Sequence, residues 1–394
     1  MPTVPIRKLN QTPESYSPSS KAEIITMAQA AAYASDTIVD PYAGGEPPNT
    51  ANRIKEYKRM GVWQNFFLAL AIQSIGEKLG VSRDFGRYWA VFTGDVFTPI
   101  YSEKPGNPDY LTMDSGVTCY FFVPQVIKTA YAAMGHDCIY LSGEQIKKNY
   151  KATINAVKAS IDNSIPVLIR GIGDVPMSGH ICPFMSEGAL IGGYDENNLY
   201  INIYSSGDPG RMEEGVIDED GYTAFPIESV FDKTDGIFFA GEKIDVDMEQ
   251  VYRIALEAIP GFLTSPPSKG YVFGKQAFDT WVEGLLDESF FEGRDSVDIW
   301  KMHCMAYCTL CSGFPMEFLQ EVIEKYPNIT IASKLLPLYE KFFGYKDAIW
   351  ELQGGFEPPQ EKFLTREFRI ELTDILRKMG ETCDEILAVF KEYE

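Results

Sequence analysis

The chain has 394 residues, of which 45% are hydrophobic and 23% charged, a composition typical of a folded globular protein of about two domains. Acidic residues outnumber basic ones by 56 to 35, and the formal net charge of −21 repels nucleic-acid phosphates and anionic lipid headgroups. These numbers exclude a disordered or fibrous chain and argue against nucleic acid and membrane surfaces as partners.

Targeting and redox signals point to the cytoplasm. The N-terminal residues contain no continuous apolar segment of the kind that forms a secretion signal. The longest apolar stretch, Val62 to Ile75, is too short and too polar to span a bilayer. Seven cysteines, an odd number in a large chain without such a signal, indicate reduced thiols rather than a disulfide framework. We expect a cytoplasmic protein that carries no cofactor.

The first part of the chain predicts an arm followed by helices. Residues 1–50 are rich in Pro, Ser, Asn and Gly at both ends, which predicts an arm packed over the domain that follows. Apolar periodicity then predicts a buried central helix at Val62 to Leu79, a second helix near Arg83 to Phe92 and a third at Phe121 to Met134.

Short strands follow these helices. The runs CIYL, IPVLIRGI, ALIGGY, LYINIY, TAFP and GIFFAG have strand composition, and an amphipathic helix at Tyr150 to Asp162 separates the first two. DENN, between ALIGGY and LYINIY, suits a tight antiparallel hairpin. Helices first and an antiparallel sheet second predict an α+β domain over residues 51–243.

Beyond residue 243 the strand signal disappears. Helical periodicity with Pro and Gly punctuation continues to Glu394. The sequence therefore predicts an all-helical C-terminal domain over residues 244–394.

The order of these segments resembles a known family. The helix GVWQNFFLALAIQSIGEKLG, the strand region IDNSIPVLIRG and the hairpin ALIGGYDENNLYINIY are similar to the papain-like domain shared by bacteriocin-processing peptidases and butirosin-type acyltransferases. The tail around GKQAFDTWVEGLL is similar to the helical domain that follows the butirosin-type N-terminal domain. The resemblance implies a papain-like cysteine-peptidase fold, with a central helix packed on an antiparallel sheet.

The family's catalytic residues are missing at the matching positions. The resemblance implies a cysteine at the start of the central helix, a histidine on the sheet and an aspartate that orients this histidine. These positions fall within Trp63 to Phe67, at Glu187 and at Ile203. No cysteine precedes Cys119, so a small shift of the alignment does not restore the nucleophile. The resemblance thus implies a degenerate, non-catalytic member of the fold.

The former active site is the first candidate binding site. Trp63, Gln64 and Asn65 at the helix start, with Glu187 and Asn202 on the strands, are candidates to line a pocket for a small molecule or a peptide. In the alternative interpretation, Gln64 and Asn65 satisfy local backbone groups and Glu187 is an exposed charge at a strand edge.

A relocated nucleophile is the second candidate. His180 and Cys182 precede the hairpin, and Cys119 lies near a helix start, where the helix dipole lowers the pKa of a thiol. Either cysteine with His180 gives a cysteine-dependent amide hydrolase or acyltransferase. In the alternative interpretation all three residues are unreactive and serve packing.

Three cysteines in the helical region raise a metal site as an alternative. Cys304, Cys308 and Cys311 share one face of a helix, where thiolates suit zinc or an iron cluster. The competing interpretation is a stripe of small apolar residues that lets helices approach closely. A third function, assembly through the helical domain with a homo-oligomer as its product, also stays open.

Overall fold

The structure is a computed structural model of the chain. It describes residues 35–42, 45–55, 67–81, 83, 88–103, 124–170, 175–177, 180–182, 189–202, 218, 220–267, 271–296, 315–355 and 359–393.

The described residues form two compact units. Unit 1 holds the described residues of 32–85 and 123–251, and unit 2 those of 86–122 and 252–394. Residues 88–103, which the sequence places within the 51–243 domain, group with the C-terminal unit. The described part of unit 2 therefore comes from two separate stretches of chain.

The strands in chain order are short, as the sequence predicts. They are β1 (Asn52–Arg53), β2 (Ile100–Ser102), β3 (His136–Ser142), β4 (Val167–Arg170), β5 (Val175–Met177), β6 (His180–Cys182), β7 (Ala189–Tyr194), β8 (Asn198–Asn202), β9 (Tyr222–Pro226), β10 (Gly236–Lys243) and β11 (Tyr271–Phe273).

Unit 1 is organised around a sheet with the strand order β3-β10-β4-β7-β8-β9. Strand β1 lies outside this linear order and pairs with β7. Every neighbouring pair is antiparallel. Strands β5 and β6 pair with each other in a separate ribbon. Helices combined with an antiparallel sheet confirm the predicted α+β class.

The helices vary in length from three to 28 residues. They are α1 (Phe67–Lys78), α2 (Ala90–Phe92), α3 (Pro124–Ala133), α4 (Gly143–Lys148), α5 (Tyr150–Asp162), α6 (Ile227–Lys233), α7 (Met248–Glu257), α8 (Ile259–Leu263), α9 (Lys275–Leu286), α10 (Pro315–Lys325), α11 (Ile331–Gln353) and α12 (Arg366–Tyr393).

One helix prediction is wrong in its extent. The sequence predicts a helix near Arg83 to Phe92, whereas Arg83 is not helical and α2 begins at Ala90. Trp89 and all residues of α2 are buried. Because these consecutive residues are all buried, the segment has no alternation of apolar and polar residues from which the start of the helix could be predicted.

Unit 2 is mainly helical. Helix α12 packs against both α9 and α11, and α10 packs on α11. The prediction of an all-helical C-terminal domain is wrong at β11, which pairs antiparallel with β2: Val272 lies opposite Tyr101. This pairing joins residues far apart in sequence, so periodicity within either segment does not reveal it.

An aromatic cluster fills part of the unit 2 core. The rings of Tyr252 and Phe318 stack with centroids 5.0 Å apart, and Phe92 contacts both edge-on.

Among the described residues, no helix is both long enough and apolar enough to cross a membrane.

Candidate functional site

Most residues that the sequence nominates for a site lie outside the described part of the chain. They are Trp63, Gln64, Asn65, Cys119, Glu187, Cys304, Cys308 and Cys311. His180 and Cys182 are described only as backbone of β6. Asn202 is nominated and described with its side chain, so the site is built outward from it.

Helix α1 lies against β4 and β7. Its sequence FLALAIQSIGEK buries Leu68, Ala71, Ile72 and Ile75, and the small alanine allows a close approach to neighbouring elements. Lys78 in the last turn is favourably placed for the negative end of the helix dipole. The predicted central helix is confirmed from Phe67 onward.

The β7–β8 hairpin positions Asn202. In the turn, Asp195 Oδ1 accepts hydrogen bonds from the backbone N–H groups of Asn197 at 2.8 Å and Asn198 at 2.7 Å. This geometry explains why DENN forms a tight turn. The turn sets a register in which Leu190 lies opposite Asn202.

Asn202 interrupts a row of buried side chains that crosses the sheet. Residues directly opposite each other on neighbouring strands share a face, and the register defines the row. Its members are Tyr140, Phe238, Leu168, Leu190, Asn202 and Tyr222. All six are buried, and Asn202 is 1% exposed. An amide thus stands in a row whose other members are apolar or aromatic.

The amide nitrogen of Asn202 has no acceptor among the described residues. A buried donor without a partner costs about 1–3 kcal/mol, so such groups are rare in folded proteins. The position is therefore unfavourable for folding alone. A carbonyl or carboxylate oxygen that accepts this hydrogen bond would remove the free-energy cost.

Arg170 lies on the same face and near the same end of the sheet. It is two residues beyond Leu168 on β4, so its side chain is on the face that carries Leu168 and Asn202. Arg170 is 2% exposed. The sequence analysis did not nominate it, although a charge at the end of the apolar run IPVLIRGI was a visible signal.

A second polar cluster ties the arm to α5. Asp162 Oδ1 accepts hydrogen bonds from Asn52 Nδ2 at 2.7 Å and from Tyr194 Oη at 2.8 Å. Burial, followed by the charge of Asp162, raises the pKa of Tyr42 to about 12. Burial and the hydrogen bond to Asp162 raise the pKa of Tyr194 as well. Both phenols therefore stay neutral at ordinary pH, as expected of a structural cluster.

The thiols described with their side chains, Cys138 and Cys383, are buried. Burial raises the pKa of Cys138 well above its ordinary value, so the thiol stays protonated and is a poor nucleophile. His136 Nδ1 lies 3.1 Å from the carbonyl oxygen of Gly241, and burial lowers its pKa. Neither group has the environment of an activated pair.

Acidic, cysteine and histidine side chains within the described residues form no group of three or more that could hold a metal ion. The cysteines of the predicted metal alternative lie outside those residues, so that alternative stays a prediction.

Comparisons with known proteins give no family for the chain. No protein-family model matches it. A search of curated proteins also found no match.

Proposed function

We propose that unit 1 has a papain-like cysteine-peptidase fold without covalent chemistry and binds a small molecule or a peptide in the former active-site cleft. One observation carries the proposal: α1 lies against β4 and β7, and the β7–β8 hairpin ends at Asn202, in a chain whose first cysteine is Cys119. The order of helix, strand and hairpin is the order of that family.

The chemistry of the fold depends on a thiolate. An activated cysteine forms the covalent intermediate, and a histidine moves the proton. The segment Trp63 to Phe67 contains no cysteine, and Cys138 is a buried thiol with a raised pKa. Loss of the thiolate removes the covalent step itself, whereas the shape of the cleft does not depend on it.

Binding without turnover also agrees with Asn202. Its amide is buried and offers a hydrogen bond that no described residue accepts. An amide is a poor general acid or base, but it fixes the orientation of a ligand carbonyl. The cleft therefore keeps polar recognition in the absence of a nucleophile.

A probe panel tests the proposal on the full-length protein. Peptides, acyl thioesters and small carboxylic acids and amides are each assayed for turnover and, by thermal shift, for saturable binding. We expect at least one binder and no turnover. Turnover that disappears in one Cys→Ala variant would show that the fold is catalytic, and absence of binding across the panel would contradict the ligand site.

A relocated nucleophile is the alternative that one backbone feature favours. Strand β6 contains both His180, which lies opposite Met177 of β5, and Cys182, which lies opposite Val175. A histidine and a cysteine are therefore two residues apart on one strand. Cys119 is the other candidate thiol of this alternative. If Cys182→Ala or Cys119→Ala abolishes turnover and His180→Ala lowers its rate, this alternative replaces the first proposal.

Assembly through the C-terminal region is the third proposal. Trp350, Leu364 and Ile370 of unit 2 are between 40% and 45% exposed, although they are large apolar residues. Exposed apolar residues of this kind occur at protein interfaces and also singly on ordinary surfaces. Size-exclusion chromatography at several concentrations separates the two cases, since a concentration-independent monomer contradicts self-assembly.

A further inference from the structure

Strand β3 is the terminal strand of the unit 1 sheet on the β10 side, within the part of the sheet that the structure describes. A terminal strand presents backbone N–H and C=O groups that can pair with another chain. At Tyr140 of β3, one residue of the arm uses both groups. The backbone N–H of Asp36 donates to the carbonyl oxygen of Tyr140 at 2.9 Å, and the backbone N–H of Tyr140 donates to Asp36 Oδ2 at 3.0 Å.

The carboxylate of Asp36 stands in for a carbonyl group of a further strand. In an antiparallel ladder, a hydrogen-bonded residue pair exchanges two N–H···O=C bonds. Asp36 supplies the donor of such a pair from its backbone and the acceptor from its side chain. Lys128 Nζ, on α3, donates to the same Oδ2 at 2.8 Å, and this ion pair is partly buried. The cation thus helps to hold the carboxylate against β3.

The arm leaves the sheet edge soon after Asp36. Ile38 is buried, and Asp40 accepts hydrogen bonds from Asn155 Nδ2 of α5 at 2.9 Å. Residues 35–40 have no regular secondary structure, so they do not extend the sheet by a strand. A ladder needs consecutive residue pairs, and Asp36 therefore interrupts any new ladder at Tyr140.

The same arrangement occurs at β9, the terminal strand at the other end of the described sheet. The N–H of Asp218 donates to the carbonyl oxygen of Tyr222, and the N–H of Tyr222 donates to Asp218 Oδ1, both at 2.9 Å. Arg53 Nη1 donates to Asp218 Oδ2 at 2.6 Å. Asp218 lies four residues from Tyr222, whereas Asp36 lies 104 residues from Tyr140. Local turn geometry therefore does not account for the contact that Asp36 makes.

We propose that Asp36 is an autoinhibitory contact, which prevents β3 from pairing with β3 of a second copy of the chain. An antiparallel pair of identical strands is self-complementary. With Tyr140 opposite Tyr140 of the second copy, the two residues would exchange the pair of hydrogen bonds that Asp36 now makes. The rings of Tyr140 and Phe238 already stack with centroids 4.9 Å apart, and a cross-strand tyrosine pair would continue this row. This inference does not depend on ligand binding or on the exposed residues of unit 2.

Sedimentation velocity of the full-length protein at several concentrations tests the proposal. The buffer contains about 0.3 M sodium chloride, which screens the repulsion between copies of formal charge −21. Asp36→Ala removes the oxygen that accepts the hydrogen bond of Tyr140. We expect its dissociation constant for self-association to be about tenfold or more below that of the unaltered protein. Asp36→Asn keeps an oxygen at this position and is expected to behave like the unaltered protein.

Asp40→Ala is the matched control. It removes the same charge from the same segment of the arm, but the carboxylate of Asp40 bonds to α5 and not to β3. The control is expected to leave self-association unchanged. Equal association of Asp36→Ala and Asp40→Ala would show that loosening of the arm in general drives association, and the proposal would be wrong.

Hydrogen exchange at low and high concentration locates the new contact. In Asp36→Ala, the amides of β3 are expected to exchange more slowly when the protein associates. Slower exchange in unit 2 alone would assign the association to the C-terminal region and contradict pairing through β3.

Two further outcomes decide the proposal. Association of a folded Asp36→Ala that is no stronger than that of the unaltered protein would overturn it. If circular dichroism shows that Asp36→Ala does not fold, Lys128→Met takes its place, because it removes the ion pair and leaves Asp36 in position. We then expect a smaller increase in self-association, and no increase would overturn the proposal.

Discussion

The hydroxyl of Tyr222 fills the space in which a side chain at Gly192 would begin. A Cβ built at position 192 would lie 2.3 Å from Tyr222 Oη, well inside contact distance. The same hydroxyl donates a hydrogen bond to the carbonyl oxygen of Ile54 at 3.0 Å. The register of β7 and β8 shifts between Ile191 and Gly193, so the glycine lies at a bulge where β7, β9 and the residue that follows β1 come together.

Gly192→Ala is therefore expected to destabilise the protein by about 1–3 kcal/mol, the usual cost of overpacking a buried site. The added methyl displaces Tyr222 and breaks its hydrogen bond to Ile54. Urea unfolding followed by circular dichroism measures the change.

Gly344→Ala provides the matched control for this substitution. Gly344 lies within α11, and a Cβ there meets nothing within 4 Å. The control is expected to leave stability unchanged or to raise it by up to about 1 kcal/mol, because alanine favours a helix more than glycine does. Equal destabilisation by both substitutions would contradict the role given to the contact with Tyr222.

Local patterns explain which elements the sequence predicts well. The helix Tyr150–Asp162 and the strand Ala189–Tyr194 have the bounds that periodicity and turn chemistry indicate. Their signals lie within one segment of chain. The pairing of β2 with β11 depends on two segments that meet only in the folded protein, and neither segment carries a sign of its partner.

The candidate site shows the same limit. Asn202 could be nominated from the order of the strands, but its burial and its unaccepted hydrogen bond depend on register with Leu190 and Tyr222. Arg170 reads as part of an apolar strand until the register places it on the face of Asn202. Residue type therefore suggested one half of the site, and strand pairing supplied the other.

Two buried amides among the described residues of unit 1, Asn155 and Asn202, are expected to respond in opposite ways to the same substitution. Asn155→Leu removes two hydrogen bonds to Asp40 and leaves that carboxylate without them, which costs about 1–3 kcal/mol. Asn202→Leu removes a donor that no described residue accepts, so stability is unchanged or rises by up to about 1 kcal/mol. Urea midpoints of the two variants, measured without ligand, give the comparison. A large loss of stability in Asn202→Leu would show that the protein itself satisfies this amide.

Stability is expected to fall at alkaline pH through the Tyr42 cluster. The phenol of Tyr42 titrates near pH 10 in an unfolded chain, whereas burial and Asp162 raise its pKa to about 12 in the folded protein. The folded state thus favours the neutral phenol. Its contribution is complete below pH 10 and is lost as the pH rises from 10 through 12.

Tyr42→Phe isolates this contribution. The variant keeps the ring but removes the titrating hydroxyl, so its stability is expected to fall less steeply between pH 10 and 12 than that of the unaltered protein. Urea midpoints at pH 8, 10, 11 and 12, which span that window, provide the measurement. Parallel curves for the two proteins would contradict a role for Tyr42, and the remaining slope reports other groups, including Tyr194.

Arg369 is expected to be among the most sensitive residues of unit 2. Its side chain is 2% exposed, and its Nη2 donates to both carboxylate oxygens of Glu288 at 2.8 Å. Further N–H groups donate to the carbonyl oxygens of Leu285 at 3.0 Å and Leu364 at 2.8 Å, and the guanidinium lies 3.9 Å from the ring centroid of Phe291. The side chain of Arg369 thus connects α12 with the end of α9, with the segment that follows α9 and with the segment that precedes α12.

Arg369→Met keeps much of the volume but leaves these backbone acceptors without donors, so we expect a loss on the order of 3 kcal/mol. Arg377→Met is the matched control on the same helix, because Arg377 is exposed and makes one ion pair, at 3.1 Å, with Asp374. The control is expected to change stability by about 0.5 kcal/mol or less. Because the two units can unfold separately, hydrogen exchange of α9 and α12 is measured beside the urea midpoint. Faster exchange of both helices in Arg369→Met alone supports the assignment, and similar exchange in the two variants contradicts it.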